Sequence, residues 1–218
     1  MRETFRGELA ELREFLSRMC KLAAAAMRQA TDALLSADLV GAEAVLAADA
    51  ELDLLRDECE ERARQTLALQ APKASDLRLV LSAVYCADRI ERMGDLAEHI
   101  ANMTRRVHPS QVVPDELRDT FAALGEITAD MAEGLVAHIA SPREGSYAEL
   151  NQTDQQVDDL HAAVLATITG RSWTHGVPMA TCLALVARFY ERYADQAVSV
   201  AKRIEFVSTG TTPRQFGP

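Results

Sequence analysis

The chain has 218 residues, 48% of them apolar, and 33 acidic against 23 basic side chains give it a net charge of −10. That is enough apolar material for one sizeable core or two small ones, with no apolar run approaching the roughly 18 residues of a membrane span. The acidic balance and the absence of any Lys/Arg run exclude nucleic-acid binding through a broad basic surface.

The amino-terminal stretch, with Glu3, Glu8 and Glu11, lacks the layout of a signal peptide. It opens a first helix over about Phe5–Leu35, where Phe5, Leu9, Leu12, Leu16, Met19, Ala23, Ala26, Ala30 and Ala33 recur at three- and four-residue spacing. Ser36-Ala37-Asp38 predicts a turn into a second helix, roughly Val40–Leu69, built on Val45, Ala48, Leu52, Leu55 and Cys59. Pro72 cannot continue that helix and is placed to precede or begin a third, about Lys73–Val107. His108-Pro109-Ser110-Gln111-Val112-Val113-Pro114 is the best boundary between halves. The plan then repeats: Pro114–Ala140, a break at Ser141–Gly145, Ser146–Thr169, a turn over Gly170–Pro178 closed by Trp173, and Met179–Ser208. No stretch alternates apolar and polar residues for long enough to make a sheet. The expected fold is therefore all-α, two tandem three-helix bundles covering residues 1–108 and 114–210, with a disordered tail at 211–218. Cys20, Cys59, Cys86 and Cys182 stand singly, without Cys-x-x-Cys spacing, and read as reduced thiols of a cytoplasmic protein.

The halves are copies. Arg89–Ala101 aligns without gaps on Phe189–Ala201, with Glu91/Glu191, Arg92/Arg192, Asp95/Asp195, Ala97/Ala197 and Ala101/Ala201 identical. A second acidic pair recurs on the middle helices, where Asp49 and Asp53 correspond to Asp154 and Asp158 at an offset of 105 residues. Helix periodicity puts residues four apart on one face, so each half carries two carboxylate pairs able to converge if its middle and last helices pack face to face. Like charges at that spacing repel by only about 0.2–0.5 kcal/mol when exposed. Taken singly, each pair reads as a solvated helix face with a local ion pair, Asp88 with Arg92 for instance. Survival of both motifs in both copies shifts the balance toward cation sites. Oxygen-only ligand sets suit magnesium, calcium, manganese or iron, whereas zinc more often recruits His or Cys. Asp88 and His99 lie on the same track and are optional ligands. Asp158 and His161 form a carboxylate-x-x-His pair of the kind found twice in ferritin-like di-iron bundles, but here it occurs once, since Asp53 is followed by Arg56. A ferritin-like di-metal oxidase or metal-storage bundle is the alternative reading. No glycine-rich phosphate loop, Gly-x-Ser-x-Gly or His-Glu-x-x-His occurs, which points away from an enzyme and toward a binding or regulatory module.

Gln70-Ala71-Pro72-Lys73-Ala74-Ser75-Asp76-Leu77-Arg78, followed by Glu91-Arg92-Met93-Gly94-Asp95 and its repeat Glu191-Arg192-Tyr193-Ala194-Asp195, resembles the PhoU family of phosphate-transport accessory and phosphate-signalling proteins across the whole chain. Phe206-Val207-Ser208-Thr209-Gly210 is similar to its actinobacterial branch. Departures from the family pattern are Arg89-Ile90 before the first Glu-Arg, Leu96 and His99 after Asp95, and Gly176-Val177-Pro178 in place of a second Asp-Leu-Arg. The resemblance implies metal ligation by Asp49, Asp53, Glu91, Asp95, Asp154, Asp158, Glu191 and Asp195, with a divalent or trivalent ion such as iron, manganese, magnesium or zinc. It further implies a cytoplasmic homodimer with at most peripheral membrane association. Such a protein touches the ATPase of the phosphate ABC transporter and a phosphate-sensing histidine kinase, and it represses the phosphate-starvation response when phosphate is plentiful.

Overall fold

A computed structural model describes residues 2–213, with side chains from residue 5 onward. Its elements are α1 (Arg2–Ser36), α2 (Leu39–Gln70), α3 (Ser75–Val107), a single 3-10 turn at Asp115–Leu117, α4 (Arg118–Ala140), α5 (Ser146–Thr169) and α6 (Gly176–Thr209). The all-α expectation holds, and no strand occurs among the described residues. None of the described helices is long and apolar enough to cross a membrane.

The helix ends follow from local chemistry. Ala37 takes a left-handed φ of 54° after α1, and the Asp38 N–H returns to the Ala33 carbonyl at 3.0 Å, which satisfies one of the orphan carbonyls of the last turn. The Asp38 carboxylate then accepts from the Val40 N–H at 3.0 Å and caps α2. Pro72 lies in the break before α3, which starts at Ser75. Pro114 precedes the 3-10 turn, so α4 proper begins four residues later than the periodicity predicts. The last helix begins earlier, at Gly176, because proline is tolerated in a first turn whose N–H groups lack helical partners and Pro178 needs none. Trp173 closes that turn as expected, its Nε1 donating to the Gly176 carbonyl at 3.0 Å. At the other end, Gly210 with φ 72° terminates α6. Of the expected disordered tail at 211–218, residues 214–218 lie outside those described.

Helices α2, α3, α6 and α5 lie side by side in that order, with α1 across α2 and α3, α4 across α5 and α6, and α1 against α4. Arg89 meets Gln196 and His99 meets Phe189, so α3 and α6 run antiparallel about a pseudo-twofold near the equivalent residues Gly94 and Ala194. The two bundles share one continuous core. Tyr190 of α6 is fully buried, exchanges a 2.9 Å hydrogen bond with Thr31 of α1 and packs on Phe121 of α4. A Cβ placed on Gly125 would fall 2.4 Å from the Thr31 side chain, so α1 and α4 approach there only because glycine is present. All four cysteines are free, and burial pushes the Cys59 and Cys86 thiols up to about 12.

Candidate functional site

Both acidic quartets sit near the middle of the four-helix layer, one between α2 and α3 and the other between α5 and α6. In the first, carboxylate oxygens of Asp49, Asp95 and Glu98 all lie within 4.8 Å of one another, the one such His/Cys/Asp/Glu group among the described residues. Gly94 makes this possible, since a Cβ there would sit 2.3 Å from Leu52 Cδ2 and 3.3 Å from Asp49 Oδ1, holding α2 away. Asn102 donates to Glu98 Oε1 at 3.2 Å and steadies it. Burial, then Glu98, Asp95 and Asp53, push the Asp49 carboxyl up to about 6.

The two other expected ligands of this quartet turn to a cation from the protein itself. Arg56 of α2 donates to Glu91 Oε1 at 2.8 Å and lies 3.9 Å from Asp53. Burial and the neighbouring Asp95 still outweigh that guanidinium and raise Glu91 to about 7. The optional ligands stand aside as well. Asp88 pairs with Arg92 at 3.3 Å, and His99 is exposed with its ring edge-on to Phe189 at 5.2 Å.

In the second quartet Asp154 and Glu191 are half-buried and Asp158 and Asp195 exposed. Their mutual field is plain in Asp154, which burial and then Asp158, Asp195 and Glu191 raise to about 7. Glu191 and Asp195 are raised too, mainly by burial, with Arg188 opposing in both. Arg188 pairs directly with Glu191. The arginine beside each quartet thus comes from a different helix, Arg56 on α2 in the first and Arg188 on α6 in the second, where the repeat equivalents are His161 and Asp88. His161 is held below the usual imidazole value by burial and by Arg188.

Sequence reasoning missed Glu98. The duplication was the signal, and Glu98 has Val198 as its equivalent; its position three residues after Asp95 could have revealed it. A serine, a histidine and a glutamate also meet, through a turn that helical spacing does not register. Ser146 Oγ lies 3.0 Å from His138 Nδ1, and His138 Nε2 lies 3.7 Å from Glu149. Ser146 is fully buried and donates to the Arg143 carbonyl at 3.1 Å, so the group locks the α4–α5 connection and offers no accessible nucleophile.

An all-carboxylate cluster suits a hard cation, which relieves the repulsion between like charges and requires neither imidazole nor thiolate. Asp49, Asp95 and Glu98 fit such an ion.

Comparison with known proteins places this geometry in context. Residues 16–104 and 121–204 each match the family model of the PhoU domain. The chain is 41% identical over 213 residues to the phosphate-specific transport system accessory protein PhoU homolog 2 of Mycobacterium tuberculosis, covering 98% of this chain and 100% of that protein. PhoU homolog 1 of Mycobacterium leprae is also 41% identical, with 98% and 96% covered. Crystal structures of PhoU from Streptococcus pneumoniae and Pseudomonas aeruginosa share the fold, with TM-scores of 0.86 and 0.85 at 23% and 22% identity. These alignments cover 96% and 95% of this chain and 99% and 100% of theirs.

Proposed function

The chain belongs to the PhoU family, and from that membership we propose that it regulates phosphate uptake and holds the phosphate-starvation response off when phosphate is plentiful. It does so by binding rather than by chemistry of its own, as a cytoplasmic homodimer that couples the ATPase of the phosphate ABC transporter to a sensor histidine kinase. The observation that carries this reading is the full-length match to proteins named as accessories of phosphate-specific transport. Long exposed helices of the kind that lie against partner helices support it.

The acidic quartets are part of the proposal. Asp49, Asp95 and Glu98 would hold a divalent or trivalent cation in the first half, and Asp154, Asp158, Glu191 and Asp195 in the second, with Arg56 and Arg188 offsetting negative charge not met by metal. Such an ion supplies positive charge and fixes the relative position of α2 and α3, and of α5 and α6. The ferritin-like alternative needs facing carboxylate-x-x-His pairs, and Arg56 stands where the first half would need its histidine. Aerobic addition of ferrous iron separates the two: stoichiometric binding without oxygen consumption fits a regulator, and catalytic oxygen uptake fits the oxidase.

Deleting the gene and following a phosphate-regulon reporter in phosphate-rich medium tests the regulatory reading. Derepression is the expected result. A reporter that stays silent, in a genome without a second copy, would overturn it.

A further inference from the structure

The molecule carries a second charged feature, of opposite sign, that neither the acidic quartets nor the family match uses. Where the start of α3 meets the end of α6, a groove of about 270 Å³ is lined by Tyr85, Ser199, Lys202, Arg203, Phe206 and Thr212. The Arg203 guanidinium lies between two rings, 4.3 Å from the centre of Tyr85 and 5.7 Å from that of Phe206. Arg89 stacks on Tyr85 at 4.9 Å, and Arg78 approaches Phe206 at 6.0 Å. Lys202 stands over Tyr147 at 5.6 Å.

Two cations, Lys202 and Arg203, therefore line the groove, and Arg89 and Arg78 lie against its Tyr85 and Phe206 walls, on a protein of net charge −10. Among the described residues Arg78, Lys202 and Arg203 have no ion pair, and the nearest carboxylate to Arg89 is Asp88 at 4.0 Å, beyond hydrogen-bond length. Arg89 spends one Nη on Gln196, and the Nε atoms of Arg78 and Arg89 are buried without a partner. Glu205, the acid nearest in sequence, is turned away to accept from the Gly145 and Tyr147 N–H groups at 3.0 Å each. Aromatic faces hold guanidinium planes in position while leaving N–H edges free, which pre-organises them for an anion.

Duplication does not account for the cluster. Across the pseudo-twofold, the positions of Tyr85, Arg89, Lys202 and Arg203 are taken by Leu185, Phe189, Asn102 and Met103. None of these four equivalents is a cation, so the stacked arginine and lysine set belongs to this end of the α3–α6 seam alone.

We propose that this groove binds a phosphoryl group, a compact tetrahedral dianion. Forked guanidinium donors and an ammonium match its oxygens, and the Tyr85, Ser199 and Thr212 hydroxyls supply further donors. The group arrives either as inorganic phosphate or as the phosphate of a small monoester, for which the volume leaves room. The site is separate from the acidic quartets, and its test is independent of the reporter assay.

Titration calorimetry on the full-length protein, freed of metal and dialysed into low salt, tests the inference with sodium phosphate and with adenosine monophosphate as probes. Saturable binding of one ligand per chain is expected, weakening as salt is added. Equal or tighter binding of phosphate identifies the free ion as ligand, and tighter binding of the nucleotide identifies an ester. Arg203→Gln should weaken binding about ten-fold or more, as loss of a charge-assisted donor does. Lys202→Gln should weaken it less, and Arg64→Gln, elsewhere on the surface, should leave it unchanged. No saturable heat with either probe up to about 20 mM overturns the proposal. So does binding that survives both Arg203→Gln and Lys202→Gln in folded protein.

Discussion

Asp154 shows the energetic cost of gathering acids in a partly buried site. Its carboxyl is raised to about 7 by burial and by Asp158, Asp195 and Glu191, so folding favours its protonated form. For an acid whose folded value lies above its unfolded one near 4, the stabilising contribution is complete below the unfolded value and is lost as pH rises through the folded value. Glu91, at about 7, and Asp49, at about 6, act in the same sense over the same window. His138 and His161 oppose them, because burial lowers both and their folded forms lose stability as pH falls. A single substitution isolates the carboxylate part. Asp154→Asn should raise the metal-free melting temperature at pH 8 and change it much less at pH 5, as read by thermal melts at the two pH values. An equal shift at both would show that Asp154 is not repelled in the native state. The same substitution should reduce the stabilisation that added manganese gives at pH 8, since metal must bind the deprotonated acid.

Among the elements, α5 depends on a residue from another helix. Its amino terminus has Gly145 at φ 92° and no capping side chain of its own. The Glu205 carboxylate, 8% exposed near the end of α6, accepts instead from two of the orphan N–H groups there. Glu205→Ala should destabilise the protein by about 1–3 kcal/mol in denaturant unfolding, because a buried donor, Tyr147 N–H, and a part-buried one, Gly145 N–H, lose their acceptor. Glu205→Gln, which keeps an acceptor oxygen, should cost less. The helices themselves were legible in the sequence: the spacing of Leu9, Leu12, Leu16 and Met19 marks α1, and Ser146–Thr169 is found with both bounds as predicted. Contacts between distant segments were not. Nothing near Gly145 announces Glu205, and the α6 start at Gly176 depends on how a first turn accommodates Pro178. At the site, the acidic repeats predicted which helices face each other, and α2·α3 and α5·α6 do pack together. Arg56 and Glu98 escaped because they break the repeat, being matched by His161 and Val198.

At the scale of the molecule the duplicated halves have a common interior, with Tyr190 of one bundle bonded to Thr31 of the other and Phe121 packed beside it. Such a core predicts one cooperative transition. The sole tryptophan, Trp173, reports on the second half, and far-ultraviolet dichroism reports on α1 to α6 together. Their denaturation midpoints should coincide, and separated midpoints would show that the bundles unfold independently. The central claim joins the acidic sites to regulation, and complementation tests it most directly. A strain lacking the gene, carrying a phosphate-regulon reporter in phosphate-rich medium, receives either the wild-type gene or an Asp49→Asn, Asp95→Asn, Glu98→Gln triple variant. Neutral isosteres relieve repulsion, so the variant should fold to normal abundance and helicity. The account predicts that it nevertheless fails to restore repression while the wild type succeeds; full repression by the variant would contradict it.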